Sequence, residues 1–101
     1  MRIPTNRKPT HPGEMLLEEF LNPMGITQRE LANALGISYQ RVNEIVNQRR
    51  GISSSTALRL ARYFNMSAEF WLNAQMCWDL YHTSKVEAGE IEAIPVYAMV
   101  A

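Results

Sequence analysis

Four side chains that form hydrogen bonds in fixed directions recur within eight residues: Gln40, Asn43, Glu44 and Asn47, with Tyr39 just ahead of them and Arg41, Arg49 and Arg50 close by. Carboxamides donate and accept at once, and a carboxylate only accepts, so such a set suits the reading of another molecule's hydrogen-bonding edge. It does not suit bond-making chemistry. His11 and His82 stand far apart, Cys77 lies five residues from His82, and no metal-ligand spacing is matched. No Ser-His-Asp or Cys-His set and no glycine-rich phosphate loop accompanies them, so neither an enzyme nor a bound metal, cofactor or small-molecule substrate is expected.

The residues between the polar ones explain what must hold them. Val42, Ile45 and Val46 have helical spacing, and about 100° per residue places Gln40, Asn43, Glu44 and Asn47 on the opposite face. Ser38 caps this helix, expected over 39–47. Before it, Thr27 and Glu30 have the spacing of a capping box, opening a helix over 28–35 that buries Leu31, Ala32 and Leu35 and stops at Gly36. Two helices crossing steeply over a short turn come close together, which Ala32 permits, and Gly36 supplies the backbone angle of the turn. With Val42 and Ile45 on the inner side, residues 28–47 form a helix-turn-helix pattern. A helix of this width fits the DNA major groove, where Gln and Asn pair with adenine and Glu accepts from cytosine. Tyr39, Gln40, Asn43 and Glu44 are therefore the expected base readers. Gln28, Ser38, Arg41, Asn47, Arg49 and Arg50 are the expected phosphate contacts, which position without carrying sequence information. A carboxylate among phosphates needs a base or an arginine, and Arg41 or Arg49 is the expected partner of Glu44.

Three more helices complete an all-α reading. Leu16, Leu17, Phe20 and Leu21 mark one over 13–22, ended by Pro23 and Gly25. Ser53 or Ser54 caps another over 54–64, with Leu58, Ala61 and Phe64 inward and Asn65 closing it. Ser67 caps the last, over 68–83. Residues 1–12, with three prolines, read as an extended arm, and 84–101 as a tail whose Pro95 disfavours a strand. The domain proper is 13–83. In its last helix, Phe70, Ala74, Cys77 and Tyr81 make one stripe, and Trp71 and Trp78 a second, seven residues apart. Two stripes exceed what packing on one bundle needs, so Phe70, Trp71, Ala74, Trp78 and Tyr81 are the expected homodimer contacts. Two reading helices would then sit about 34 Å apart. Cys77 is expected in the core and His82 exposed at the helix end.

Bulk composition agrees with a single small domain. The chain has 101 residues, 47% apolar, with formal net charge zero. That zero hides an asymmetry. Between Thr27 and Arg62 six arginines face Glu30 and Glu44, whereas from Glu69 onward five acids face Lys85 alone. A basic middle suits a polyanion and an acidic end suits a basic partner. One cysteine, no signal-peptide run and no membrane-length apolar run point to the cytoplasm and to no membrane contact.

The stretch "TQRELANALGISYQRVNEIVNQRRGIS" resembles the lambda-repressor-like (XRE) helix-turn-helix domain. Its flanks, "RKPTHPGEMLLEEFL" and "TALRLARYFNMSAEFWLNAQMCWDL", are similar to the HigA family of antitoxins, and the likeness covers about residues 7–82. The resemblance implies a five-helix bundle that dimerises on a palindromic operator in its own promoter. It also implies a protein partner, a HigB toxin of the RelE type that cleaves mRNA on the ribosome. It places Gln28, Ser38, Tyr39, Gln40 and Glu44 on DNA. One departure stands out: Gln48 occupies a loop position that is glycine in most members. Two readings compete with the antitoxin, namely a stand-alone regulator without a toxin and an interaction module that does not bind DNA. The toxin would meet the arm, with Arg2, Arg7 and Lys8, or the acidic, apolar segment 87–101. The arm has a minor groove as its other destination, and the segment its twin across the dimer.

Overall fold

The computed structural model describes residues 8–98, and these contain six helices and no strand. The first, α1, is one continuous spiral of three segments: an α-turn Pro12–Met15, a π-helical stretch Leu16–Leu21 and a closing α-turn Asn22–Met24. It is followed by α2 (Gln28–Leu35), α3 (Tyr39–Val46), α4 (Ser54–Phe64), α5 (Ala68–Val86) and α6 (Ala88–Glu92). The sequence places the end of α1 near residue 22, but the helix runs through Pro23. The wider π-turn makes this possible. The Asn22 amide reaches back five residues to the Leu17 carbonyl, which opens the helix just where proline lacks a donor and its ring needs room.

Helix ends are set by short-range chemistry. Ser38, Ser53 and Ser67 accept backbone amides of the helices they open, as expected. Four helices close on a left-handed residue: Gly25, Gly36, Gln48 and Asn65, with φ of 67°, 69°, 62° and 53°. Each is followed by the paired backbone bonds of a Schellman closure, for instance Ile37 to the Ala32 carbonyl and Met66 to the Ala61 carbonyl.

The core joins Leu16 and Leu21 of α1, Leu31, Ala32 and Leu35 of α2, Val42, Ile45 and Val46 of α3, Ile52, Ala57 and Leu60 of α4 and its approach, and Trp71 of α5. The inward face of α4 differs from expectation. Ala57 and Leu60 fill the core, Ala61 and Phe64 are half-buried, and Leu58 is 63% exposed. Leu60 has the same apolar character as Leu58 and sits about 200° further round the helix, so only packing distinguishes them.

Gly13 marks the tightest approach in the bundle. A β-carbon there would overlap the backbone carbonyl of Ile45, so glycine lets α1 lie directly on α3. His11 caps α1 through its ring: Nδ1 accepts the Gly13 amide at 2.9 Å. Its side chain is buried, and that burial lowers its pKa below 6.5, against the upward pull of Asp79 and Glu14.

The two ends of the chain also depart from the reading. The last arm residues are docked, not free: Lys8 lies 5.3 Å over the Trp78 ring and His11 meets it edge-on at 4.9 Å. The region expected as tail from 84 is helical to Val86 and again over Ala88–Glu92. Arg2, Arg7 and residues 99–101 lie outside the described residues. The Cα radius of gyration is 16.8 Å, against about 13 Å for a compact domain of this length. The elongation fits a C-terminal stretch that leaves the bundle, since every residue from Thr83 to Ala98 is exposed except Ala88, which is half-buried.

Candidate nucleic-acid interface

The two helices of the motif are held rigidly from both sides. At the start of α2 the capping box is complete: Thr27 Oγ1 accepts the Glu30 amide and Glu30 Oε1 accepts the Thr27 amide, each at 3.0 Å. These bonds hold the Glu30 carboxyl below its ordinary range. At the start of α3, Ser38 Oγ accepts the Arg41 amide at 3.1 Å. Ala32, Val42 and Ile45 are buried between the helices. Arg59 of α4 donates to the Leu35 carbonyl at 2.6 Å, satisfying an orphan acceptor at the end of α2.

With the inner seam fixed, α3 turns its polar side outward, and most of its groups are already oriented. Asn43 Nδ2 donates to Gln28 Oε1 at 3.0 Å, linking the first residue of α2 to the middle of α3. Glu44 accepts from Arg50 Nε at 2.9 Å and lies 3.5 Å from Gln40 Nε2. The arginine partner is thus Arg50, not Arg41 or Arg49 as expected. The closure after α3 turns the chain back, and this brings residue 50, six positions on, over the Glu44 carboxylate. Asn47 Nδ2 donates to the Asn43 carbonyl at 2.9 Å, an intrahelical bond that helps close the helix. Gln40 and Tyr39 are exposed, and Arg29 stacks on the Tyr39 ring at 4.9 Å. Arg49 is exposed, and Arg41 is half-buried.

Two residues outside the sequence reading shape this surface. Arg29 adds a cation beside Tyr39. Its spacing from Tyr39 spans the turn, so no helical periodicity within one element reveals the pair. Gln75 of α5 holds the loop after α3. Its Oε1 accepts the Ile52 amide at 2.7 Å, while its Nε2 donates to Asp79 at 2.9 Å. A β-carbon on Gly51 would press on the Gln75 carboxamide at 2.9 Å. The run "FWLNAQ" ends on this glutamine, which was the available signal. The departure at Gln48 keeps its loop geometry: the residue adopts φ 62°, where glycine is at ease, and Arg49 donates to the Glu44 carbonyl at 2.8 Å.

The expected dimer stripe is partly consumed within the chain. Trp71 has no exposed surface; it sits under Phe20 and Phe70, both at 5.1 Å, and is a core residue, not a contact for a second copy. The bundle is small enough that α5 must fill its centre with the largest available ring. Trp78 is half-buried beneath Lys8, His11 and His82, and the His82 ring lies 4.1 Å away instead of projecting into solvent. Ala74 and Tyr81 are half-buried, Phe70 is 38% exposed, and Cys77 is half-buried rather than in the core. Among the described residues no group of three His, Cys, Asp or Glu side chains could hold a metal ion, and no helix is long and apolar enough to cross a membrane.

A buried seam between two helices joined by a short turn, with an outward row of oriented amides, defines a helix-turn-helix protein. The family model described as helix-turn-helix matches residues 17–71. Virulence-associated protein I of Dichelobacter nodosus is 53% identical over 83 residues, covering 79% of this chain and 77% of that protein. Antitoxin HigA-1 of Vibrio cholerae is 42% identical over 79 residues, covering 78% and 74%. Among solved structures, the Pseudomonas aeruginosa antitoxin HigA with the higBA promoter superposes with a TM-score of 0.84 at 42% identity, over 90% of this chain and 99% of that one. The chain belongs to the HigA group of XRE-type helix-turn-helix proteins.

Proposed function

We propose that this chain is a type II antitoxin that neutralises a HigB/RelE-like mRNA-cleaving toxin and binds operator DNA as a dimer to repress its own operon, acting by binding and not by catalysis. The observation that carries the reading is the outward face of α3, where Gln40 and Asn43 present oriented carboxamides on a helix locked from behind. The solved relative with its promoter supports it.

In this reading Tyr39, Gln40, Asn43 and Glu44 meet base edges. Gln28, Ser38, Arg41, Asn47, Arg49 and Arg50 position the phosphates, and Arg29 joins them through Tyr39. The Arg50 pair offsets the cost of a carboxylate near DNA. The dimer uses the exposed edge of α5 around Phe70, Ala74 and Tyr81, with the rim of Trp78. The toxin meets the chain away from the outward face of α3.

A gel shift with the DNA upstream of the chain's own gene tests the DNA half. Binding should weaken steeply with salt, log affinity falling by roughly 0.9 per phosphate neutralised for each unit of log salt. A salt-independent affinity, or none, would refute it. Co-expression with the neighbouring gene followed by pull-down tests the toxin half; a neighbour that never co-purifies would refute that.

A further inference from the structure

Two exposed features lie apart from the reading face. One is a groove of about 620 Å³ between the end of α2 and α4, lined by Ala34, Leu58, Arg59, Arg62 and Tyr63. Its floor is apolar, with Leu58 63% and Tyr63 43% exposed. Arg59 is pinned at its rim by the Leu35 carbonyl and the Ser55 hydroxyl. The Arg62 guanidinium has no hydrogen bond or ion pair among the described residues.

The other is the segment after α5. Ile91, Ile94, Val96 and Tyr97 are 45%, 66%, 92% and 83% exposed, among the exposed acids Glu87, Glu90 and Glu92. Apolar side chains in this number, carried away from the bundle, mark a surface that another surface covers. An apolar groove edged by arginines and an apolar segment edged by carboxylates are complementary in both hydropathy and charge. Both are exposed in the same chain, so the segment does not lie in its own groove. A second copy carries the same pair, and a two-fold arrangement lets each copy give its segment and receive the other's.

We propose that residues 88–98 of one copy occupy the Leu58–Tyr63 groove of a second, with Glu90 and Glu92 against Arg62, and reciprocally. The inference rests on the dimer of the proposed function and adds a second contact to the α5 edge.

Complementary charge reversal in the full-length chain tests it. One variant carries Arg62→Glu; the other carries Glu90→Lys and Glu92→Lys. Sedimentation velocity should find self-association of each alone weakened roughly tenfold or more, because each homodimer opposes like charges. An equimolar mixture should recover near-native association, since both groove–segment pairs are then of opposite sign. Two variants that dimerise as tightly as the native chain, or a mixture no tighter than its components, would overturn the groove contact while leaving the α5 dimer. A native chain that is monomeric at every concentration would overturn both. Unchanged helical circular dichroism confirms that the reversals act at the surface.

Discussion

Between Thr27 and Ile52 nearly every turn of chain is tied to another. The capping box, the Ser38 cap, the Gln28–Asn43 bond, the Glu44–Arg50 pair and the Gln75 bond to Ile52 succeed one another within 26 residues. From Thr83 to Ala98 there is little beyond helix bonds, the Ser84 hydroxyl on the Tyr81 carbonyl and Lys85 over the Tyr81 ring. The first region has its apolar groups inside and its polar groups oriented. The second has its apolar groups outside. Rigid presentation suits the reading of base edges, which rewards side chains held near their bound geometry. An exposed apolar segment suits an interface completed only in an assembly.

The contrast can be broken by stability measurements, taken at dilutions where the chain is monomeric. The largest effect is expected at Trp71: replacement by alanine removes the centre of the aromatic cluster and should cost about 3–5 kcal/mol. Val96→Ala and Tyr97→Ala should stay within about 0.5 kcal/mol of native in the same urea titration. Equal losses in both regions would erase the distinction. Next comes Gly13→Ala, which forces α1 off the Ile45 carbonyl and should cost about 2–3 kcal/mol. A smaller effect of opposite sign is expected at Gln48. Glycine relieves the left-handed strain of the closure, and thermal denaturation of Gln48→Gly should show a gain of about 0.5–1 kcal/mol.

The smallest effect concerns His11, where opposing influences leave a net downward shift. The folded protein then binds fewer protons than the unfolded chain below pH 6.5. Stability should be complete above that value and decline as pH falls through the folded pKa. A protonated Nδ1 also cannot accept the Gly13 amide. His11→Asn retains a capping side chain and should flatten urea midpoints between pH 7.5 and 5.5; an unchanged slope would contradict this assignment.

How much of this was legible follows the same contrast. Caps and closures at Thr27, Ser38, Gly36 and Asn65 are local rules, and the seam of Val42 and Ile45 is strict helical period; both were readable from residue types. The Arg50 partner of Glu44 was not, because the turn geometry at Gln48 decides which arginine comes back over α3. The Gln75 anchor and the choice of Leu60 over Leu58 depend on how α4 and α5 meet the bundle, which no window within one helix contains. Trp71 misled for the reason that a bundle core and a dimer face draw on the same aromatic residues. The helix α6 follows α5 after only Glu87, where neither a capping side chain nor an apolar stripe announces it.

The central claim is that the outward face of α3 reads base edges while the flanking arginines only position the backbone. Affinity of Gln40→Ala and Arg49→Ala chains for the upstream DNA and for a scrambled duplex, at one salt concentration, tests it most directly. Gln40→Ala should lose about 1–3 kcal/mol on the preferred site and almost nothing on the scrambled one, whereas Arg49→Ala should lose equally on both. The reverse pattern, or equal losses for the two variants on both duplexes, would contradict it.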